Sequence, residues 1–139
     1  MTQGIDTGID IECKKRKTDW QGIVSRFFTA SEQQALFLLP EEQQRDAFFQ
    51  LWTRKEAYMK VLGTGLSLAP TEFSLTVPPK KPALVKHYST KYPALQYLSF
   101  NTLIMPQQYK HYCATLAMAA KSCHYNLYVF SEKCYIGES

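Results

Sequence analysis

The chain has little of what marks the specialised protein classes. Its 139 residues hold four cysteines, Cys13, Cys113, Cys123 and Cys134, and no C-x-x-C pair. That argues against a metal knuckle, and the expectation is a cytoplasmic protein with reduced thiols. No apolar run exceeds roughly Cys113 to Ala120, far short of the roughly 18 residues a membrane span needs. No charged n-region followed by an apolar core resembles a secretory leader. Six glycines and seven prolines are too few for a low-complexity or collagen-like chain. The net charge of +4, from 16 basic and 12 acidic residues, is too small by itself to argue for nucleic acid.

What remains is the composition of an ordinary globular domain, 45% apolar and 20% charged. Residues 1–139 read as one domain, with no internal repeat and no long linker. Residues 4–12 alternate loosely through Ile5, Ile9 and Ile11 and predict a strand, with Ile9 and Ile11 facing the core. A basic turn follows, with Lys14, Lys15, Arg16 and Lys17. Residues 20–28 carry Ile23, Val24, Phe27 and Phe28 at helical spacing. Ser31 is a candidate N-cap for a helix over 32–39. Pro40, Glu41 and Glu42 open the clearest helix, where the helix dipole favours acidic residues. Its stripe is Phe48, Leu51, Trp52, Lys55, Met59 and Leu62, and Gly63 and Gly65 should end it.

Beyond the glycines the period changes. Strands are expected over 72–77, 94–104, 109–119 and 125–130, with Pro78-Pro79 breaking the first. Helices first and strands later predict an α+β fold, a long central helix packed on a mostly antiparallel sheet.

Two features carry chemistry. In Asp10-Ile11-Glu12 the carboxylates stand two apart on a strand, so both leave the same face. Oxygen-only ligands suit a hard cation such as Mg²⁺, and an ordinary solvated strand face fits a bare D-x-E as well. In the central helix Glu56 and Lys60 share one face at i, i+4, the spacing of a plain exposed ion pair. Trp52 and Met59 flank Glu56, so this carboxylate borders a packed stripe. Convergence of Asp10, Glu12 and Glu56 with a lysine beside them would suit a metal-bound diphosphate.

His111-x-Cys113 and Cys123-His124 invite a zinc reading. Adjacent residues of a strand point apart and the spacing fits no finger, so these are taken as ordinary strand residues. Aromatic strands without a clustered basic face read as core rather than as a nucleic-acid surface.

Four blocks in order carry a resemblance: Gly8-Ile9-Asp10-Ile11-Glu12; Arg26-Phe27-Phe28-Thr29-x-x-Glu32; Trp52-x-x-Lys55-Glu56-Ala57-x-x-Lys60; and Gly63-x-Gly65-Leu66-Ser67-Leu68. Together they resemble the 4′-phosphopantetheinyl transferase superfamily, in its larger type, typified by the activator of surfactin synthetase. The resemblance implies transfer of the 4′-phosphopantetheine arm of coenzyme A to a serine of an apo acyl or peptidyl carrier protein. The carrier would serve fatty acid, polyketide or nonribosomal peptide synthesis.

Carried over residue by residue, the resemblance makes Asp10, Glu12 and Glu56 the Mg²⁺ ligands. Glu56 would also deprotonate the acceptor serine. Lys55 and Lys60 would bind the diphosphate and stabilise the departing 3′,5′-ADP, and Glu32 would be a supporting residue. The run Lys14, Lys15, Arg16 and Lys17 reads equally as a patch that steers an acidic carrier and as a solvated charge run. Larger-type enzymes are pseudo-dimers whose second half opens with the acidic pair, so the resemblance is to that half alone. It implies a homo-oligomer, a missing N-terminal half, or a carrier-binding module without transfer activity.

Overall fold

The computed structural model describes residues 6–63 and 68–120. Strand β1 (Thr7–Cys13) leads through the basic turn into helices α1 (Trp20–Phe27), α2 (Ala30–Phe37) and α3 (Glu41–Leu62). Strands β2 (Phe73–Leu75), β3 (Leu84–His87), β4 (Ser99–Thr102) and β5 (Tyr112–Met118) follow. The expected α+β class holds: β1, β5 and β4 form one antiparallel sheet in that order, and β2 and β3 form a two-stranded antiparallel ribbon. Among the described residues, no helix is long and apolar enough to cross a membrane.

Helix α3 is the spine. Its core-facing residues include Phe48, Phe49, Leu51, Ala57, Tyr58 and Val61, all buried. Phe28, Phe48 and Trp52 stack with ring centroids 5.7–6.4 Å apart, which fastens the end of α1 onto the middle of α3. Gly63 ends the helix in the left-handed conformation at φ 66°, where a side chain would be strained. Gly65, the other expected stop, lies outside the described residues, as does the strand expected over 125–130.

The structure turns β1 the other way round from the expectation. Gly8, Asp10 and Glu12 face α3, while Ile9 is 44% exposed on the opposite face and Ile11 is half-buried. The cause is backbone proximity. A Cβ at Gly8 would stand 2.3 Å from the Ala57 carbonyl oxygen and 2.6 Å from the Val61 nitrogen. Only a residue without a side chain lets the helix come that close.

Other boundaries differ for local reasons. Helix α2 begins at Ala30, because Thr29 rather than Ser31 is the cap: its hydroxyl accepts from the Glu32 N–H, and the Glu32 carboxylate accepts from the Thr29 N–H. The strand expected over 94–104 shrinks to β4, and β5 starts only after a 3₁₀ turn at Gln107–Tyr109. Strand β3 was not anticipated. It pairs with β2 behind the Pro78-Pro79 break, and Thr76 closes that hairpin through Lys81 and Ala83.

Candidate functional site

The close approach at Gly8 brings the strand's acidic pair against the middle of α3. Asp10 is buried, and its Oδ1 accepts from Lys60 Nζ at 3.0 Å. The same ammonium donates to the Ile9 carbonyl at 2.9 Å. Lys60 thus leans back on the strand rather than standing as a simple pair with Glu56, and its side chain keeps half its exposure. The other Asp10 oxygen, Oδ2, is buried with no hydrogen-bond partner. Native interiors rarely leave such an acceptor empty, and a cation is one of the things that fills it.

Burial acts on all three carboxyls, and repulsion from neighbouring carboxylates adds to it at Glu12 and Glu56. Burial pushes Asp10 above the ordinary carboxylate range, against the downward pull of Lys60. Burial also raises Glu12, with the negative charges of Asp10 and Glu56 adding to it. Glu56 is raised by burial and then by Asp10, with Lys60 opposing. All three are held where a full negative charge is costly, the condition a divalent cation relieves. Among the described residues, no three His, Cys, Asp or Glu side chains form a ready-made metal shell. The donor set is nevertheless all oxygen, and its orphaned Asp10 Oδ2 fits a hard cation.

Beside Glu56 and Lys60 opens a groove of about 560 Å³ with largely apolar walls. Phe27, Trp52, Met59, Leu68 and Pro70 line it beside those two side chains, with the rings of Phe27 and Trp52 6.0 Å apart. Phe27 is 38% exposed along this groove, while its neighbour Phe28 is buried. Leu68 and Pro70 were missed as site residues, although Leu68 closes the fourth quoted block.

Lys55 requires a correction. The expected diphosphate ligand has no exposed surface at all. Its three protons go to Glu32 Oε1 at 2.8 Å, Glu32 Oε2 at 2.9 Å and the Phe73 carbonyl at 2.9 Å. An ammonium has three donors, so none remains for a phosphate. Glu32 is likewise buried, and it sits with Lys55 rather than with Asp10, Glu12 and Glu56. The basic turn is partly committed as well. Lys14 pairs with Asp46 at 2.8 Å, and Arg16 reaches Glu12 at 3.6 Å, while Lys15 and Lys17 are exposed. Arg45 holds the turn by donating to the carbonyls of Lys14 and Arg16. Of the zinc candidates, Cys113 is buried, with a thiol that burial pushes up to about 12, and Cys123 and His124 lie outside the described residues.

Residues 6–117 match the sequence pattern of the 4′-phosphopantetheinyl transferase superfamily. The chain belongs to that family. Among curated relatives it is 42% identical over 77 residues to the 4′-phosphopantetheinyl transferase HetI of Nostoc sp., covering 55% of this chain and 32% of that one. It is 41% identical over 68 residues to the 4′-phosphopantetheinyl transferase Sfp of Bacillus subtilis, covering 49% and 30%. The matches thus span about a third of the length of these relatives. Among solved structures, the Thermotoga maritima holo-[acyl-carrier-protein] synthase superposes with a TM-score of 0.66 at 21% identity, over 84% of this chain and 64% of that one. An apo-ACPS of Chronobacterium ammoiniagenes gives 0.54 at 13% identity, over 83% and 95%. At those identities the two structures speak for the shared fold.

Proposed function

We propose that this domain transfers the 4′-phosphopantetheine arm of coenzyme A to a serine of an apo acyl or peptidyl carrier protein, releasing 3′,5′-ADP. The observation that carries the reading is the buried Asp10 carboxylate, with Oδ2 unsatisfied, Lys60 on Oδ1, and the charges of Glu12 and Glu56 within electrostatic reach. Family membership supports the same chemistry.

In this reading Asp10, Glu12 and Glu56 would hold Mg²⁺. The bound cation would neutralise the diphosphate and make 3′,5′-ADP a better leaving group. Lys60, half exposed at the groove mouth, contacts the diphosphate and stabilises the charge that builds on the departing phosphate. Glu56 takes the proton of the acceptor serine. The serine oxygen bonds to the phosphorus that carries the pantetheine arm as the bond to the bridging oxygen breaks. The apolar groove of Phe27, Trp52, Met59 and Leu68 offers the largely uncharged arm a wall beside the reacting atoms. Lys15 and Lys17, exposed in the turn after Glu12, steer an acidic carrier towards it.

The deciding experiment incubates the chain with coenzyme A, Mg²⁺ and an apo carrier, and weighs the carrier by mass spectrometry. Gain of one phosphopantetheine, lost in Glu56→Gln, is the expected result. No gain at any enzyme concentration refutes transfer by this chain alone. A second reading, a carrier-binding module that needs an N-terminal half for activity, is favoured by the exposed Ile9 on the sheet face away from α3. Carrier binding without mass gain would support it.

A further inference from the structure

Lys55 and Glu32 form the most heavily bonded polar cluster described in the protein, and it lies away from the acidic triad. The Glu32 carboxylate accepts four hydrogen bonds: two from Lys55, one from the Thr29 N–H at 2.9 Å and one from the Leu75 N–H at 2.8 Å. Lys55 adds the Phe73 carbonyl, and its ammonium stands 4.2 Å from the centre of the Phe73 ring. The Ser74 hydroxyl closes the cluster by donating to Thr29 Oγ1 at 2.8 Å.

Three chain segments meet there, and each leads directly into a wall of the groove. Thr29 follows Phe27 and Phe28. Lys55 lies between Trp52 and Glu56 on α3. Phe73 and Leu75 follow Leu68 and Pro70 through one short 3₁₀ turn. The groove walls come from distant parts of the sequence, and this ion pair is a shared anchor behind them.

We propose that Glu32 and Lys55 are positioning residues, which set the width of the groove and the stance of Glu56 without touching the substrate. The kinetic part of the inference rests on the transfer reaction proposed above; the spectroscopic part does not. Removing one partner leaves the other charge buried and unpaired, so the walls should spread. Replacing both, as Glu32→Gln with Lys55→Met, removes both charges. The glutamine amide keeps one oxygen to accept from the Thr29 N–H, while its NH₂ replaces the oxygen that accepted from the Leu75 N–H, so one buried donor stays unpaired.

The test compares Lys55→Met, Glu32→Gln and the double variant for thermal midpoint, kcat and KM for coenzyme A. Trp52 emission is followed in a Trp20→Phe background, because Trp52 lines the groove. Each single variant is expected to lower kcat by about tenfold or more, to leave KM within about threefold, and to shift Trp52 emission. The double variant is expected to be more stable than either single variant and to regain much of the emission and kcat. A Lys55→Met variant that raises KM about tenfold with kcat and emission unchanged would make Lys55 a ligand and overturn the proposal. So would folded single variants with native kcat and emission, or a double variant no more stable than either single one. If the wild-type chain transfers nothing, the reaction assignment fails on its own, and the emission and stability comparison still decides the role of the pair.

Discussion

Lys60 bridges two parts of the site: its ammonium donates at 3.0 Å to the Asp10 carboxylate and at 2.9 Å to the carbonyl of Ile9, one residue earlier on the same strand. Helix and strand are thereby locked at the acidic pair, with one face of the lysine still open to solvent. Charge-assisted hydrogen bonds of this kind contribute about 1.5–3 kcal/mol. In the reading proposed above the same ammonium also bonds the diphosphate, so Lys60→Met should raise KM for coenzyme A by roughly ten- to a hundredfold, lower kcat as well, and cost some thermal stability. Steady-state kinetics beside a melting curve check it, and an unchanged KM would remove Lys60 from the diphosphate site.

In the proposed reaction Glu56 has two tasks, cation ligand and base, which one substitution can separate. Glu56→Gln keeps the shape and one acceptor oxygen but cannot take the serine proton. General-base loss typically costs about 10²–10⁴ in rate. The expected outcome is a kcat lowered within that range at saturating Mg²⁺, with a circular dichroism spectrum like that of the parent. If raising Mg²⁺ restores the rate fully, Glu56 serves only as a ligand.

How far the sequence carried these assignments depended on what each residue could signal. Helix α3 was legible because 22 residues of helical periodicity end at a glycine in the left-handed conformation. That Asp10 shares a strand face with Glu12, and Glu56 a helix face with Lys60, was legible because strand and helix spacing fix it. The orientation of β1 was not, since an isoleucine pair reads as a core face, while the residue that decides the packing, Gly8, has no side chain to show. Lys55 carried a usable signal in its place inside the apolar stripe, where a cation needs a buried partner. Thr29-x-x-Glu32 has the pattern of a capping box, but nothing local says that its glutamate also receives a lysine from 23 residues away. Strand β3 and the shortened β4, four residues each, are too brief for alternation to mark them.

The contact at Gly8 gives a prediction about packing alone. An alanine there would drive its methyl into the Ala57 carbonyl and the Val61 N–H of α3. Overpacking of this kind typically costs about 1–3 kcal/mol. Gly8→Ala should lower the melting temperature measurably and, by lifting α3 from β1, weaken the Lys60 contact with Asp10. A variant with both parental stability and parental KM would mean that the helix can shift without consequence.

The raised carboxyls predict how pH and divalent cations act together. Asp10, Glu12 and Glu56 all bind protons more tightly in the fold than the free side chains do, chiefly because they are buried. Their contribution to stability is thus fully present below the ordinary carboxylate pKa of about 4 and is lost as pH rises through the raised values. From these groups alone, the metal-free chain should lose stability between mildly acidic and neutral pH. A cation that binds the ionised carboxylates reverses that loss and stabilises by mass action. Millimolar Mg²⁺ should therefore raise the melting temperature more at pH 7 than at pH 5. Asp10→Asn, which keeps an acceptor for Lys60 and removes a charge, should make the metal-free chain more stable at pH 7 and blunt its Mg²⁺ response. Scanning fluorimetry at two pH values with and without the cation measures all four quantities. An Mg²⁺ shift equal at both pH values, or undiminished in Asp10→Asn, would place the cation elsewhere on the protein.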